Sequence, residues 1–286
     1  MEFYLLTALN GLAYAAVLFL LASGLSLVYG VGRFLHLAHG GFYMLGGYLG
    51  YTAVRGLGDF WLALLAVALG AFVIGGVAER LVALVYGRGR ELDQVLFTFG
   101  LAFVVSDLTR AVWGAAVLGL RPPPVLDRPV DLGLFPYPAY PLFLIGVGVA
   151  VALGLWALLR RTRFGLELRA AAGHGEMSQA LGVDARGVLR RAYLLGVLLA
   201  ALAGFLATPR IALAPGLDFT MLILALVVVV IGGLERVEGA LVGSLLVGLA
   251  DSFGKVFIPQ FSLALVFGVM GLVLVVRPQG LLGGAR

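Results

Sequence analysis

Long apolar runs, broken by short polar or glycine-bearing connections, recur from one end of this chain to the other. Each run approaches or exceeds the roughly 20 residues that a helix needs to cross a bilayer. In hydrocarbon every backbone donor and acceptor must be paired within its own segment, so such runs are read as helices. Barrel strands would be shorter and would alternate in polarity. The pattern predicts helices over about 4–30, 34–54, 60–86, 92–117, 142–159, 187–208, 240–256 and 260–276. A further apolar stretch, about 219–231, is short and ends in Gly232-Gly233-Leu234-Glu235-Arg236. It is either a ninth span or a broken segment lining a cavity, so the expected fold is an all-α, polytopic transmembrane bundle of eight or nine spans. Leu120 through Pro141, with its run Pro122-Pro123-Pro124, cannot continue a helix. The first run has no basic segment ahead of it and is too long for a signal-peptide core, so it reads as a permanent helix.

Composition reinforces the pattern. Of the 286 residues 62% are hydrophobic and 12% charged, whereas soluble domains average about 45–50% and about 25%. The net charge is +5, and its distribution matters more than its sum. Seven arginines fall between Arg160 and Arg191, in one polar connection. Nucleic-acid binding would call for a basic, aromatic-interleaved face on a soluble fold, which is absent. An excess of Arg and Lys on the cytoplasmic side accounts for the cluster directly. With nine spans and 160–186 inside, fourteen basic residues lie inside and six outside. The N-terminus is then external and the C-terminus cytoplasmic.

The chain has no cysteine and a single lysine, Lys255. A thiolate metal site is excluded, and so is a phosphate loop of the Gly-x-x-x-x-Gly-Lys-Ser/Thr type. No metal or cofactor is expected on this chain, and any ATP chemistry belongs to another polypeptide. Paired catalytic aspartates, a His-Glu-x-x-His site and a Gly-x-Ser-x-Gly elbow are also absent. Gly46 with Gly50, and Gly239 with Gly243, are spaced four apart, so each pair presents a groove for close helix packing.

The most informative stretch runs from Phe164 to Asp184. Gly173 and Gly175 divide it into two short helices, Gly182 is placed to end the second, and Asp184 can cap the helix that follows. Met177, Ala180 and Leu181 give the second piece an apolar face. The stretch reads either as a docking element for a soluble partner or as a solvated, orienting loop. Its motif, Phe164-Gly165-x-x-Leu168-Arg169-Ala170 followed by Ala180-Leu181-Gly182-Val183-Asp184, resembles the cytoplasmic coupling segment of the LivH-type permeases of branched-chain amino-acid ABC importers. Between the halves the family usually carries Asn/Asp-Pro-Glu-Ala. Gly173-His174-Gly175-Glu176-Met177 stands here, so only Glu176 is carried over.

Asn10-Gly11-Leu12, Gly24 through Gly30, Arg33, Ala38-His39-Gly40-Gly41-Phe42 and Gly46-Gly47-Tyr48 resemble the opening of the same family, with His36 where Asn is usual. Val230-Ile231-Gly232-Gly233-Leu234 and Arg277-Pro278-Gln279-Gly280-Leu281 are similar to its end. The resemblance implies one permease domain over 1–286 in the inner (cytoplasmic) membrane. It also implies a second, LivM-like permease, two ATP-binding subunits that engage the coupling residues, and an external substrate-binding protein. The implied cargo is a branched-chain or related neutral amino acid. An ABC permease for urea or short amides and a stand-alone ion-coupled carrier are the alternatives.

Ionisable groups at bilayer depth are costly and suggest function. Asp107 and Arg110, three apart, are expected to pair on one helical face as structural glue. Asp251 and Ser252 either line a path or sit at the outer interface beside Lys255. His36 and His39 share a face, and a hydrogen-bonded pair is preferred over a metal or proton site. His39, Asp107, Asp251 and Ser252 are the candidates for the translocation path.

Overall fold

The computed structural model describes residues 2–85, 91–131, 133, 135–173 and 175–283, with the side chains of 91, 175 and 176 outside the description. Helices α1 (Glu2–Gly32), α2 (His39–Leu57), α3 (Phe60–Ala83) and α4 (Glu91–Trp113) are followed by a short antiparallel hairpin, β1 (Pro129–Asp131) and β2 (Pro136–Pro138). Next come α5 (Ala139–Arg161), the two short helices α6 (Arg163–Gly173) and α7 (Gly175–Ala180), and α8 (Ala185–Ala207). The chain closes with α9 (Leu217–Gly232), α10 (Val237–Phe257), a 3-10 turn at Pro259–Phe261 and α11 (Ser262–Val276).

Seven of these segments are long and apolar enough to cross a membrane: α1, α3, α4, α5, α8, α10 and the Pro259–Val276 segment. The two remaining long elements are different in kind. Helix α2 has 19 residues and is rich in glycine; α9 is apolar but has only 16. At about 1.5 Å per residue, α9 falls short of a hydrocarbon core about 30 Å thick. Both start inside the bundle, where Gly40 at the head of α2 lies against the backbone of Asp218 and the side chain of Leu222 on α9. The protein is a mostly helical, polytopic membrane protein.

Helix α1 is the axis of the bundle and packs on α10, α8, α5 and α9. Its sequence is apolar all round, as a helix enclosed on every side must be. By contrast α3, α4, α5 and α11 expose long apolar rows, such as Leu65, Leu69 and Phe72 on α3. Close approach at the centre depends on glycine. A Cβ at Gly46 would collide with the Ala201 backbone, one at Gly50 with the Phe205 ring, one at Gly239 with the Gly232 carbonyl and one at Gly243 with the Val228 carbonyl. Gly24 faces Gly196, and Gly11 faces Gly248, in the same manner.

Several boundaries differ from the sequence expectation. The fourth helix stops at Trp113 rather than near 117, because Gly114 turns to φ +79°. The fifth begins at Ala139, with Pro141 in its first turn, where the missing N–H has no helical acceptor in any case. The second starts five residues later than the apolar run suggests. Arg33 adopts φ +53°, and 34–38 run in a non-helical path into the bundle. The hairpin in the proline-rich connection was not anticipated.

Candidate functional site

Three regions gather the polar side chains: an elbow built from α6 and α7, the connection from α1 to α2, and a cavity at the opposite end of the bundle.

The elbow folds back on the end of α5. The Thr162 hydroxyl accepts from the Gly165 N–H (3.3 Å), closing the first turn of α6. Gly165 is buried and rests on the Leu158 and Leu159 carbonyls, where any side chain would clash. Arg169 donates through Nη1 to the Leu159 carbonyl, satisfying an acceptor that the end of α5 leaves open. Leu168 and Ala171 are buried. Arg191 on α8 lies over the Phe164 ring (5.3 Å) and pairs with Glu167 (2.7 Å). Phe164, Gly165, Leu168 and Arg169 therefore hold the elbow to its own bundle, while Ala170 is half-buried.

The far half of the elbow points outward. Gly182 takes φ +89°, a conformation that favours glycine. The Asp184 carboxylate then caps α8 by accepting from the Gly187 N–H (3.0 Å). Just before Gly182, Leu181 is 80% exposed and Met177 67% exposed, with Ala180 also at the surface, and Val183 after it is half-buried. The side chain of Glu176 lies outside the described residues.

The connection between α1 and α2 reaches both the elbow and the core. Arg33 Nη2 donates to the Ala172 carbonyl in the last turn of α6 (2.9 Å). His36 Nε2 is bonded to the Tyr193 hydroxyl (2.8 Å), and His39 Nε2 to the Leu21 carbonyl of α1 (3.0 Å). Both imidazoles are buried, and their ring centroids are 6.1 Å apart. They do not bond to each other as the sequence suggested; each is tied to a different helix. No group of three or more His, Cys, Asp or Glu with metal-binding geometry occurs among the described residues.

At the end of the bundle where α1 starts and α10 ends, a cavity of about 570 Å³ is lined by α1, α5, α9, α10, α11 and the segment after α8. Asp251 and Ser252 both line it. Asp251 is buried and pairs with Lys255 one turn on (2.6 Å), and Ser252 donates to the Thr7 carbonyl (2.8 Å). Lys255 also lies over the Tyr14 ring at 5.2 Å. Asn10 Oδ1 accepts from Arg210 (3.0 Å) and from the Tyr137 hydroxyl (3.1 Å). Burial pushes the Tyr137 phenol above its ordinary pKa, against the opposing pull of Arg210, so it stays a donor.

Asp107 lies elsewhere. It is exposed on α4, and neither it nor Arg110 makes an ion pair with a described residue, so the expected intrahelical pair is not formed. Sequence reasoning also passed over Asn10, Arg210 and Asp218. Asp218 is 2% exposed, and neither of its carboxylate oxygens accepts a hydrogen bond from a described residue. Its signal was Pro215-Gly216-Leu217-Asp218, a turn that places an acid in the first turn of an apolar helix.

A family model described as the branched-chain amino acid transport system / permease component matches residues 7–276. The chain belongs to this permease family. The permease BraD of the high-affinity branched-chain amino acid transport system of Pseudomonas aeruginosa is 28% identical, over 98% of this chain and 96% of its own. The LivH permease of the corresponding Salmonella typhimurium system is 24% identical, again over 98% and 96%. A probable LivH of Methanocaldococcus jannaschii is 25% identical over 96% of this permease and 91% of its own length. The structure of PsaBC from Streptococcus pneumoniae in complex with Fab aligns with 94% of the chain and 91% of its own, at a TM-score of 0.49 and 16% identity.

Proposed function

We propose that this permease is one membrane half of an ATP-driven importer that carries branched-chain or related neutral amino acids across the inner membrane. Its partners are a second permease, two ATP-binding subunits and an external substrate-binding protein, and it catalyses no chemistry itself. The observation that carries the reading is the elbow. Its near half is fastened to α5, α8 and the α1–α2 connection, and its far half offers Met177, Ala180 and Leu181 to solvent. A rigid lever with an unpartnered apolar tip suits a soluble motor subunit that must push on the bundle. The arginine-rich end, with the elbow and the C-terminus, is then cytoplasmic. The cavity holding Asp251 and Ser252 faces outward and receives substrate from the binding protein. His39, bonded to the Leu21 carbonyl of α1, acts as a packing element, and Asp107, exposed on α4, lies away from the cavity.

The test is leucine uptake into proteoliposomes that hold the permease with its co-purified partners. Uptake that needs ATP and the external binding protein supports the reading; uptake indifferent to both refutes it. Buried Asp218, at the head of a short helix, favours an ion-coupled carrier as the second reading. That carrier would work without ATPases, and its uptake would collapse with the ion gradient and in Asp218→Asn.

A further inference from the structure

The outer cavity carries three formal charges above an apolar floor. Asp251 shares one carboxylate oxygen with Lys255. The Lys255 side chain is 60% exposed and that of Asp251 only 10%, so the pair opens to the cavity from its lysine end. Arg210 makes no ion pair with a described carboxylate, and its one described side-chain bond goes to the neutral Asn10. Two cations thus face the cavity against one anion, with a guanidinium left over. Guanidinium is the side chain best matched to a carboxylate, through paired N–H donors. A simple anion would satisfy Arg210 but would find Asp251 in the same space. The lower lining, formed by Val17, Leu144, Met221 and Leu224, is apolar.

We propose that this cavity binds the zwitterionic end of an amino acid with an aliphatic side chain. Arg210 and Lys255 take the carboxylate, Asp251 takes the ammonium, and the side chain points toward Leu144 and Met221. The inference rests on the import reading above and names the groups that a single protomer brings to its substrate. Discrimination then follows from charge geometry, because a ligand that lacks either charge leaves one of the cavity's ions unmatched.

The chain has no cysteine, so one introduced thiol is the sole labelling site on this subunit, and labelling is read on its separated band. Thr220 lines the cavity and is exposed. In the purified complex, labelling of Thr220→Cys by a neutral maleimide is followed with and without ligand. Leucine slows labelling, whereas 4-methylpentanoate, which lacks the ammonium, and 3-methylbutylamine, which lacks the carboxylate, do not. Adding Arg210→Gln or Asp251→Asn raises the leucine concentration for half-protection about tenfold or more, and Arg210→Lys recovers part of the loss. Labelling that saturating leucine leaves unchanged, or that all three ligands slow equally, overturns the proposal. Where a charge variant fails to assemble, the comparison of ligands on Thr220→Cys decides by itself. Retention of the ATPases is scored on the same sample. Their absence refutes the importer reading whatever the labelling shows, and their presence without protection refutes the cavity assignment alone.

Discussion

Replacing Leu181 with Asp should separate docking from folding. Leu181 is 80% exposed at the tip of the elbow, and surface substitutions of this kind change folding stability by no more than about 0.5 kcal/mol. Burying a whole leucine is worth about 1.5–3 kcal/mol. The exposed four-fifths thus offers roughly 1–2.5 kcal/mol to a partner that covers it. Losing about 2 kcal/mol weakens the contact about 30-fold, and desolvating the new carboxylate against an apolar groove adds to the loss. The assay compares two readouts on one preparation: thermal unfolding in detergent, and the amount of ATPase retained through purification together with ATP-driven uptake. Unfolding should stay at the wild-type temperature while ATPase retention and uptake fall. Leu168→Asp, at 8% exposure, should instead lower the yield of folded protein. Full ATPase retention and full uptake in Leu181→Asp would refute the lever argument.

The helix crossings and the α1–α2 connection give further tests. Gly46→Ala drives a methyl into the Ala201 backbone and should cost about 1–3 kcal/mol. Gly76→Ala, with nothing within 4 Å of its Cβ, should be neutral or stabilising by up to about 1 kcal/mol; thermal unfolding of the pair checks both. Arg33→Ala removes the tether to Ala172 and keeps the left-handed backbone, whereas Arg33→Gly removes the tether and relieves the strain. The glycine variant should therefore be the more stable of the two by about 1 kcal/mol, measured by the same unfolding, with uptake per ATP reduced in both. His39→Gln should leave uptake largely intact where it folds, since His39 binds a backbone carbonyl inside the bundle; loss of uptake at normal expression would return the residue to the transport path.

The bundle was legible because the bilayer demands uninterrupted apolar runs, and the apolar residues of α1, α3, α5 and α8 advertise themselves. The elbow was legible for a local reason: Gly182 and Asp184 are stop and start signals that act on their immediate neighbours. Failures arose where tertiary placement overrode the local pattern. Phe34-Leu35-His36-Leu37 reads as helix, yet Arg33 at φ +53° turns the chain and sends those residues into the core. Asp107 and Arg110 share a helical face, but spacing alone does not make a pair, and both remain exposed. The charge cluster of the outer cavity joins Asn10 to Arg210 across 200 positions of sequence, and Asp218 meets Gly40 only because α2 and α9 start at the same place within the bundle. No one-dimensional pattern encodes such meetings.

The most direct test of the central claim is a mild-detergent pull-down of the tagged permease from its native membrane, with the partners identified by mass spectrometry. The account predicts two ATP-binding subunits and a second permease, with the ATP-binding subunits lost and the permease pair retained in Leu181→Asp. A homo-oligomer free of ATPase, under conditions that preserve a known ABC complex, would contradict it.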